Sequence, residues 1–486
     1  MAFFWGHHSG NRNKTIFNDQ NRIFYKENGL KSYDAVVVGS GTAGQTVAYE
    51  LAKKQLGVAV VERSERPGGT CALYGCQAKK WFYEGAETVA RARHLSGIGI
   101  QTPAVPSWSQ LRDAKNKFTQ RVPASTLAGF KNAGIDVIKG TAKFLDEKTL
   151  AVDQSQYTAS FFVLASGAFP LPLAIDGAQL AIDNTGFMEL SELPPRIIFI
   201  GGGFISFEFA HFAARLGPED IRCTILEAGP RPLGPFDAEM VDLLVNASSD
   251  EGVDVHCGVN IVSIEKSAGE YRIRLKDGRR FKADTVVHGA GRAPDIAGLD
   301  LDRAGIDYDK RGIAVDANMM TTNPHVYAVG DCAATIQLAR VADYEAKVAA
   351  ANIRQRLDDH FPSAAADYSA VPSLLFTYPQ YGMVGATERE LEKNGIAFKK
   401  SYAKELSWPT YQRIGMKHGA FKLLAGDNGL LLGAHILSDY AAGLINTLTL
   451  AMANHIPLET LYRQSVLTPY PTRESDLIYM LKPLIE

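Results

Sequence analysis

Short apolar runs of strand length alternate along this chain with segments that have the hydrophobic period of a helix. The order strand, helix, strand occurs twice with similar features. Residues 35–38 and 58–61 each form an apolar run of strand length, and a helical pattern lies between them. The same order returns in the stretches RIIFI and IRCTIL, which flank a second helical pattern. Strands without a polar face are typical of parallel sheets that helices cover on both sides. The pattern therefore predicts two α/β units.

A glycine-rich turn follows the first strand, and an acid ends the second. Gly39, Gly41 and Gly44 have the spacing GxGxxG, and Glu62 stands at the end of the run 58–61. The first glycine permits a tight turn, the second lets a pyrophosphate approach the backbone, and the third lets helix and strand pack closely. The helix N-terminus favours phosphate, and the acid can bind a ribose hydroxyl. This unit is predicted to bind a dinucleotide.

The second unit carries the same signals with one change. Gly201 and Gly203 follow its first strand, Ser206 takes the third small position, and Glu227 ends its second strand. Two units predict two bound nucleotides. A carboxylate at the strand end repels a 2′-phosphate, which favours NADH over NADPH. Arg231 lies close by in sequence and favours the opposite preference.

From about Ala366 the pattern changes to antiparallel strands and a largely apolar helix. GAFKLLAGDNGLLLGAHIL has the short strands and glycine turns of hairpins, and AAGLINTLTLAMANH has helical periodicity. This region has no nucleotide motif, and an apolar sheet and helix without a site of their own predict an oligomer interface. Before it, the stretches FFVLASGAFPLPLAI, ADTVVHGAGRAPD and TTNPHVYAVGDCA each predict a buried strand that ends in a glycine turn.

Composition and charge narrow the function classes. The chain has 486 residues, 46% of them hydrophobic, with 51 Lys+Arg against 53 Asp+Glu. There is no basic excess, which argues against nucleic acid as a partner. No apolar run reaches the ~18 residues that a membrane span needs, so no membrane association is predicted. Residues 1–31 are mostly polar and are predicted to form a mobile extension.

Two of the five cysteines, Cys71 and Cys76, stand in the stretch GGTCALYGCQAKKWF with four residues between them. Five cysteines in so long a chain indicate a reducing, cytoplasmic compartment, where a disulfide is more often catalytic than structural. Glycines lead into a predicted helix N-terminus, whose dipole stabilises a thiolate, and Lys79 and Lys80 add positive charge. A zinc clip would need a second Cys/His pair of matching spacing. A redox disulfide is favoured, with buried inert thiols as the alternative.

These stretches together resemble the FAD-dependent pyridine nucleotide–disulfide oxidoreductases, the family of glutathione reductase, dihydrolipoamide dehydrogenase and mercuric reductase. The motifs GGTCALYGC, GGGFISFE, YAVGD and VPSLLFTYPQYGMVG carry the resemblance, which covers about residues 32–480. It implies an α/β fold with two Rossmann-like dinucleotide-binding domains and a C-terminal α+β dimerisation domain. The implied order is an FAD-binding domain at 32–180 that returns at 289–360, an NAD(P)-binding domain at 181–288 and a dimerisation domain at 366–486.

The resemblance also implies cofactor-binding residues, position by position. Those implied for FAD are Gly39, Gly41, Gly44, Glu62, Gly69, Thr70, Gly167, Gly330 and Asp331. Those implied for NADH or NADPH are Gly201, Gly203, Phe204, Glu227 and Gly291. Asp331 is expected to hold the ribityl chain of the flavin. Phe204 takes the position of a tyrosine that gates the nicotinamide pocket in many members.

The redox roles follow from the same resemblance. Cys71 is implied to be the outer, substrate-facing sulfur, and Cys76 the sulfur that contacts the flavin. Glu208 is expected to pair with a lysine beside the flavin ring. Lys79 and Lys80 are both candidates for that lysine, because relatives differ in which of the two positions they use. The resemblance also implies a homodimer.

The C-terminal tail departs from the family pattern. Disulfide-reducing members end in His-Pro-Thr-x-x-Glu, supplied by the partner subunit, whereas this chain reads TPYPTRESD. Tyr470 takes the place of the histidine and Ser475 that of the glutamate, with Glu474 one residue early. Tyrosine, with a reference pKa of ~10, is a poor base, which argues against efficient turnover of small disulfides. We expect Tyr470 to act near the disulfide, with interface packing as the alternative.

The sequence thus predicts a homodimeric, NAD(P)H-dependent flavoenzyme that reduces a small-molecule or protein disulfide, or a metal ion. The alternatives are a metal-ion or quinone reductase related to mercuric reductase, and a flavoprotein subunit of a larger complex. Mercuric reductases carry a C-terminal cysteine pair, whereas this chain ends DLIYMLKPLIE. Mercury detoxification in their manner is therefore not expected, and no resident metal site is predicted.

Overall fold

The computed structural model describes residues 24–25, 31–102 and 104–486. Its strands are β1 Phe24–Tyr25, β2 Lys31–Val38, β3 Val58–Glu62, β4 Asp136–Lys139, β5 Ala142–Asp146, β6 Thr149–Val152, β7 Ser155–Leu164, β8 Ala168–Pro170, β9 Arg196–Ile200, β10 Arg222–Leu226, β11 Val253–His256, β12 Ile261–Ser267, β13 Glu270–Leu275, β14 Arg280–Ala283, β15 Thr285–His288, β16 Arg292–Pro294, β17 Tyr308–Asp309, β18 Gly312–Ile313, β19 Val326–Ala328, β20 Ser373–Leu375, β21 Gln380–Gly385, β22 Lys399–Ala403, β23 Ala420–Ala425 and β24 Leu431–Ser438.

The α-helices are α1 Thr42–Ala52, α2 Gly69–Leu73, α3 Cys76–His94, α4 Trp108–Thr119, α5 Val122–Asn132, α6 Asn184–Met188, α7 Phe204–Leu216, α8 Ala238–Asp250, α9 Ala339–Leu357, α10 Glu388–Lys393, α11 Pro409–Gln412, α12 Ala441–Ala453, α13 Leu458–Ser465 and α14 Leu477–Ile485. Short 3₁₀ turns lie at Ala178–Leu180, Leu301–Ala304, Gly330–Cys332 and Glu474–Asp476.

The described residues divide into two compact units. Unit 1 comprises the described residues up to Leu73, with Thr119–Phe169 and Ala293–Ala366. Unit 2 comprises the described residues of Tyr74–Phe118, with Pro170–Arg292 and Asp367–Glu486. The domain boundaries expected from the sequence remain predictions. The expected extension over residues 1–31 lies outside the described residues, apart from 24–25 and 31.

Unit 1 contains a mixed sheet with a parallel core. Strands β4, β3, β2 and β7 run parallel in that order, β6 and β5 extend the sheet in antiparallel fashion, and β19 joins β7 in parallel. Val36, Ala59 and Phe162 are fully buried in its core, which explains the lack of polar positions in these strands. The strands predicted at 35–38 and 58–61 are confirmed. Because β2 and β3 pair in register, the turn after β2 and the acid that ends β3 lie at the same sheet edge.

Unit 2 contains the second parallel sheet, in the order β11-β10-β9-β15. Helix α7 connects β9 to β10 and packs on both of them, and β12, β13 and β14 form a separate antiparallel sheet. The predicted second strand–helix–strand unit is confirmed. Phe199, Phe209 and Phe212 from β9 and α7 share one core cluster.

Unit 2 also contains an antiparallel sheet from the C-terminal region, in the order β20-β21-β24-β23-β22. The hairpin of β23 and β24 and the apolar helix α12 are confirmed predictions. Leu423, Leu444 and Met480 are buried in the core that this sheet shares with its helices. Across the part of the chain that the structure describes, no helix is both long and apolar enough to cross a bilayer.

Candidate active site

The first glycine turn of unit 1 is built so that side chains are excluded from it. Gly39 has φ +109°, and a Cβ there would lie 2.3 Å from the carbonyl oxygen of Ala165. A Cβ on Gly44 would lie 2.0 Å from the carbonyl oxygen of Gly39. Gly41 precedes α1 as its N-cap, so the first free amides of α1 face the turn. The geometry fits the close approach of a pyrophosphate to the backbone.

Glu62, the acid that ends β3, is held by backbone and hydroxyl donors. Its carboxylate accepts hydrogen bonds from the amide of Ser40 at 3.0 Å and the amide of Ser64 at 2.7 Å, and from the Ser40 hydroxyl. The Ser40 hydroxyl in turn accepts a hydrogen bond from the amide of Gly68 at 3.0 Å. Ser40 therefore links the glycine turn, Glu62 and the stretch before Gly69. Sequence reasoning missed this role, although Ser40 lies inside the motif GSGTAG.

Gly69 brings the cysteine-bearing stretch against the glycine turn. It has φ +74°, and a Cβ there would lie 2.3 Å from the Cα atom of Gly41. Two backbone segments thus touch where a side chain would separate them. Thr70 follows on α2 and is exposed. These residues fit the phosphate end of an FAD site.

The remaining residues expected to bind FAD also lie in unit 1. Gly167 has φ +77° with open space around it. Gly330 donates its amide hydrogen to the Glu345 carboxylate at 2.7 Å, which fixes the turn that carries Asp331. Asp331 is half-buried in that turn. Glu345 was not expected, because it lies on α9 without any motif around it.

Cys332 follows Asp331, and its side chain is fully buried. Its thiol donates weak hydrogen bonds to the carbonyl oxygens of Leu164 and Val329, at 3.3 Å and 3.4 Å. Complete burial raises the pKa of this thiol, so a thiolate is disfavoured there. This supports a packing role for Cys332 over a redox role.

The second glycine turn lies in unit 2 and repeats the construction of the first. Gly201 has φ +94°, and a Cβ there would lie 2.4 Å from the Cα atom of Ala290. Gly203 is the N-cap of α7. The Glu227 carboxylate accepts hydrogen bonds from the amides of Gly202 and Gly229, each at 2.5 Å. Gly291 has φ +104° with open space around it. The arrangement fits a second dinucleotide.

The Arg231 side chain binds residues at the start of α8. Its guanidinium donates a hydrogen bond to the carbonyl oxygen of Ala238 at 2.9 Å and forms an ion pair with Asp242. The side chains of both charged residues are partly exposed. In this structure the Arg231 guanidinium therefore binds α8 and not a group at the strand end.

The two cysteines occupy different helices. Cys71 is half-buried in the short helix α2, and Cys76 is the first residue of α3, which runs for 19 residues after the N-cap Gly75. The predicted helix N-terminus is confirmed for Cys76. A sulfur at this position lies at the positive end of the helix dipole, which favours its thiolate.

Lys79 is the lysine that pairs with Glu208. Their ion pair is buried, with the Glu208 side chain 1% exposed. The second Glu208 oxygen accepts a hydrogen bond from the amide of Phe376 at 3.1 Å. Lys79 Nζ also lies 5.6 Å from the ring centroids of Phe204 and Phe376. Of the two candidate lysines, Lys79 is thus the one that pairs with Glu208 in this structure, and a position beside the flavin stays a prediction.

Lys80 lies in a different environment from Lys79. Its Nζ lies over the ring of Phe376 and 4.5 Å from the ring centroid of Tyr83. Burial lowers the pKa of Lys80 to about 6. Phe376 had no sequence signal for a place beside them, other than its position in the motif VPSLLFTYPQYGMVG.

Hydrogen bonds hold the tail that carries Tyr470 to other residues of unit 2, whereas the Tyr470 side chain is exposed. The Ser475 hydroxyl donates a hydrogen bond to the Thr472 carbonyl at 2.7 Å and accepts one from the Thr472 amide at 3.1 Å. Arg413 donates to the carbonyl of Pro471 at 3.0 Å. Tyr470 itself is 76% exposed. Ser475 is thus used within its turn, so it does not orient Tyr470 as a glutamate orients the family histidine.

Comparison with known proteins identifies the family. The sequence profile described as pyridine nucleotide-disulphide oxidoreductase matches residues 33–346, and that of the family's dimerisation domain matches residues 371–477. The chain belongs to this family. The predicted fold class, an α/β protein with two dinucleotide-binding units and a C-terminal dimerisation domain, is confirmed.

The relatives include several kinds of reductase and dehydrogenase. Dihydrolipoyl dehydrogenase of Chlamydia pneumoniae is 30% identical over 89% of this chain and 93% of its own length. Glutathione reductase of Schizosaccharomyces pombe is 30% identical over 85% and 92%. Mercuric reductase of Staphylococcus aureus is 28% identical over 94% and 83%. The solved Cu(II) complex of the HOCl-induced flavoprotein disulfide reductase RclA from Escherichia coli is 25% identical, with a TM-score of 0.82 over 93% of this chain and 99% of that one.

Family membership establishes the class of reaction. The chain is an NAD(P)H-dependent, FAD-containing oxidoreductase of the type that passes electrons from the pyridine nucleotide through FAD to a disulfide. It carries the dimerisation domain of that family. The predicted enzyme class and the predicted requirement for FAD and a pyridine nucleotide are confirmed.

Proposed function

We propose that Cys71 and Cys76 form the redox-active disulfide of this enzyme and that the reduced pair passes its electrons to an external disulfide. The observation that carries the proposal is the position of Cys76 at the start of α3, one turn before Lys79. When bound, FAD would supply hydride acceptance from the pyridine nucleotide and two-electron reduction of the disulfide. The helix N-terminus favours a thiolate at Cys76, and thiol–disulfide exchange by the outer sulfur Cys71 completes the transfer.

The residues of the two glycine turns, together with further residues of the same units, are proposed to bind the cofactors. In unit 1, the residues proposed for FAD are Gly39, Gly41, Gly44, Glu62, Gly69, Thr70, Gly167, Gly330 and Asp331. In unit 2, those proposed for the pyridine nucleotide are Gly201, Gly203, Phe204, Glu227 and Gly291. Phe204 is 46% exposed, which leaves its ring free to move as a nicotinamide enters. The buried carboxylate of Glu208 holds the Lys79 ammonium in place.

Substitution of the cysteines tests the disulfide assignment. Cys71→Ser and Cys76→Ser are expected to abolish NADH-dependent reduction of a disulfide substrate, because each removes one sulfur of the pair. Electron transfer from NADH to an artificial one-electron acceptor such as ferricyanide is expected to persist. Cys257→Ser removes a half-buried cysteine beside Glu227 and leaves both sulfurs of the pair in place. With disulfide reduction normalised to ferricyanide reduction in each variant, it is the matched control. Disulfide reduction by Cys71→Ser at the wild-type rate would overturn the assignment.

NADH is the proposed pyridine nucleotide. Glu227 places its negative charge at the strand end, where a 2′-phosphate would be repelled. The ion pair with Asp242 competes with that phosphate for Arg231. Steady-state kinetics with both nucleotides test the preference, and a higher kcat/KM with NADPH would contradict it. Asp242→Asn is expected to improve the use of NADPH by a few-fold, because exposed ion pairs contribute ~0.2–1 kcal/mol.

A metal ion is the second candidate acceptor. A solved relative is a Cu(II) complex of a flavoprotein disulfide reductase, and a mercuric reductase is among the relatives. Tyr470 in place of a histidine base also disfavours small disulfides. Among residues 31–102 and 104–486, no group of three or more His, Cys, Asp and Glu side chains is placed to hold a metal ion, so the metal would be a substrate. Rates with Cu²⁺, Hg²⁺, quinones, glutathione disulfide and lipoamide, measured side by side, separate the candidates.

We propose that the enzyme is active as a homodimer. The proposed compartment is the reducing cytoplasm. The family's dimerisation domain is present, and Val466, Leu467 and Tyr470 are exposed in the tail that follows α13. Exposed apolar side chains grouped in one segment are typical of an interface. Light scattering after size-exclusion chromatography is expected to give twice the 52.8 kDa of the chain. A monomer at micromolar concentration would contradict this proposal.

A further inference from the structure

An open cavity of about 370 Å³ lies in unit 2 beside the tail that carries Tyr470. Its volume is in the range of small-molecule sites, roughly 300–1,000 Å³. Thr472 of the tail lines it, and so does Arg413, which donates a hydrogen bond to the carbonyl of Pro471 at 3.0 Å. Because Pro471 directly follows Tyr470, the cavity lies next to the residue that replaces the family histidine.

Charged side chains of both signs line this cavity, and several of them are balanced within the protein. The five are Arg91, Arg413, Arg473, Asp439 and Glu474. Arg473 and Asp439 form an ion pair at 2.7 Å, and each of these side chains is 8% exposed. Arg91 pairs with Glu87 at 2.8 Å and lies 3.8 Å from Asp439. These three lining charges are therefore already matched by partners of opposite sign.

The remaining two lining charges, Arg413 and Glu474, are a cation and an anion. Among the residues that the structure describes, neither of them has an oppositely charged side chain within 4.0 Å. Arg413 is exposed, and a guanidinium has more donors than its bond to the Pro471 carbonyl uses. Glu474 is half-buried, and a Cβ on Gly443 would lie 2.5 Å from its Oε1 atom. The Glu474 carboxylate thus lies at the first turn of α12, where the helix dipole favours an anion.

Arg413 and Glu474 both lie near one buried carboxyl group, that of Asp476. The Asp476 carboxylate accepts a hydrogen bond from the hydroxyl of Thr410, which lines the cavity. Burial raises the pKa of Asp476, whereas the charge of Arg413 lowers it and that of Glu474 raises it. A charge must lie close to a carboxyl group to shift its pKa. The cavity therefore presents one available cation and one available anion near each other.

This pair of charges matches the two charges of an α-amino acid end. A guanidinium binds a carboxylate through parallel hydrogen bonds, and a carboxylate accepts hydrogen bonds from an ammonium. We propose that Arg413 and Glu474 form a subsite for the zwitterionic amino-acid end of a small disulfide acceptor. Arg413 binds the carboxylate of the acceptor, and Glu474 binds its ammonium. This inference rests on the proposed reduction of an external disulfide. The subsite acts on KM and does not supply the base that Tyr470 lacks.

Three disulfides with one carbon skeleton test the subsite in the wild-type holoenzyme. Cystine carries both charges at each end, cystine dimethyl ester keeps only the ammonium, and N,N′-diacetylcystine keeps only the carboxylate. We expect KM for cystine to be lower than for either blocked form by about 10-fold, since each blocked form loses hydrogen bonds between charged groups. Equal KM values for the three would overturn the subsite. Reduction of ferricyanide but of none of the three would contradict the proposed disulfide reduction, and the subsite with it.

Two variants assign the charges to residues. Arg413→Gln is expected to raise KM about 10-fold for cystine and N,N′-diacetylcystine and to leave the dimethyl ester unchanged. Glu474→Gln is expected to raise KM for cystine and the dimethyl ester and to leave N,N′-diacetylcystine unchanged. Arg389→Gln, at an exposed arginine of α10 outside the cavity, is the matched control and changes none of the three. A purely structural role in the tail would shift KM for all three disulfides by the same factor, and that result would overturn the assignment.

Discussion

Lys79 and Lys80 are neighbours in the sequence, yet their amines lie in opposite environments. Lys79 forms a buried ion pair with Glu208, whereas Lys80 Nζ lies against two aromatic rings. The sequence could name both as candidates but not choose between them. The choice depends on Glu208, 129 residues further along the chain, and on Phe376, which is bound to Glu208 across 168 residues. Contacts of this range leave no local pattern in a single sequence.

The environment of Lys80 predicts how folding stability depends on pH. Burial lowers its pKa from 10.5 to about 6, so between these values the unfolded chain binds a proton that the folded chain does not. This difference in bound protons lowers the free energy of unfolding. The loss is complete below pH 6 and becomes smaller as pH rises towards 10.5. Lys80→Met removes it. We expect Lys80→Met to raise the Tm of the oxidised holoenzyme more at pH 7 than at pH 9.5.

Thermal unfolding of the wild type, Lys80→Met and the exposed-site control Lys117→Met checks this expectation at both pH values. The control is expected to show the same small change in Tm at each pH. A Lys80→Met effect that is equal at pH 7 and pH 9.5 would mean that Lys80 is charged in the folded protein.

The nucleotide-binding elements are the part that the sequence predicts well. A turn that needs positive φ at Gly39 and Gly201 restricts the residue type, and the paired strands on either side must be apolar, so the pattern is local and strong. Ser40 and Glu345 were missed. Each acts by a hydrogen bond to a backbone amide or a carboxylate brought close by the fold, and such bonds place no demand on the neighbouring residues in sequence.

At the scale of elements, contact between α2 and the first glycine turn gives a steric prediction. A Cβ at Gly69 would lie 2.3 Å from the Cα atom of Gly41, and Gly69 has φ +74°. Gly69→Ala is expected to weaken FAD binding, because the turn must open to admit the methyl group. Positive φ alone costs Ala ~1–2 kcal/mol, and overpacking adds ~1–3 kcal/mol.

Gly278→Ala is the matched control for the steric part. Gly278 has φ +88°, but a Cβ there would have nothing within 4 Å. The Gly278→Ala substitution is expected to lower Tm modestly and to leave the FAD affinity unchanged. Flavin fluorescence titration of the two apo-proteins compares the affinities. Equal FAD affinities for the two variants would show that the Gly41–Gly69 contact does not shape the site.

At the scale of the whole molecule, the tail decides which acceptors the enzyme serves. Tyr470 is exposed, and Ser475 is engaged within its own turn. A general acid–base contributes ~10²–10⁴ to rate. If the tail reaches the disulfide of a partner subunit, Tyr470→His is expected to raise kcat/KM for lipoamide or glutathione disulfide by about 10- to 100-fold. The reason is that the substitution restores the histidine of the family's His-Pro-Thr-x-x-Glu tail.

Tyr479→His, at a half-exposed tyrosine on α14, is the control for an added histidine. It is expected to leave kcat/KM unchanged. No gain from Tyr470→His in a protein that remains dimeric would assign Tyr470 to interface packing. Family membership alone could not predict this result, because the substitution lies in a motif where this chain departs from the family pattern.

The central claim is that Cys71 and Cys76 exchange electrons with the flavin. Anaerobic titration of the purified holoenzyme with NADH, followed by absorbance, tests it most directly. The account predicts a long-wavelength thiolate-to-flavin charge-transfer band at two-electron reduction in the wild type and no such band in Cys76→Ser. Bleaching of the flavin without that band in the wild type would contradict the account.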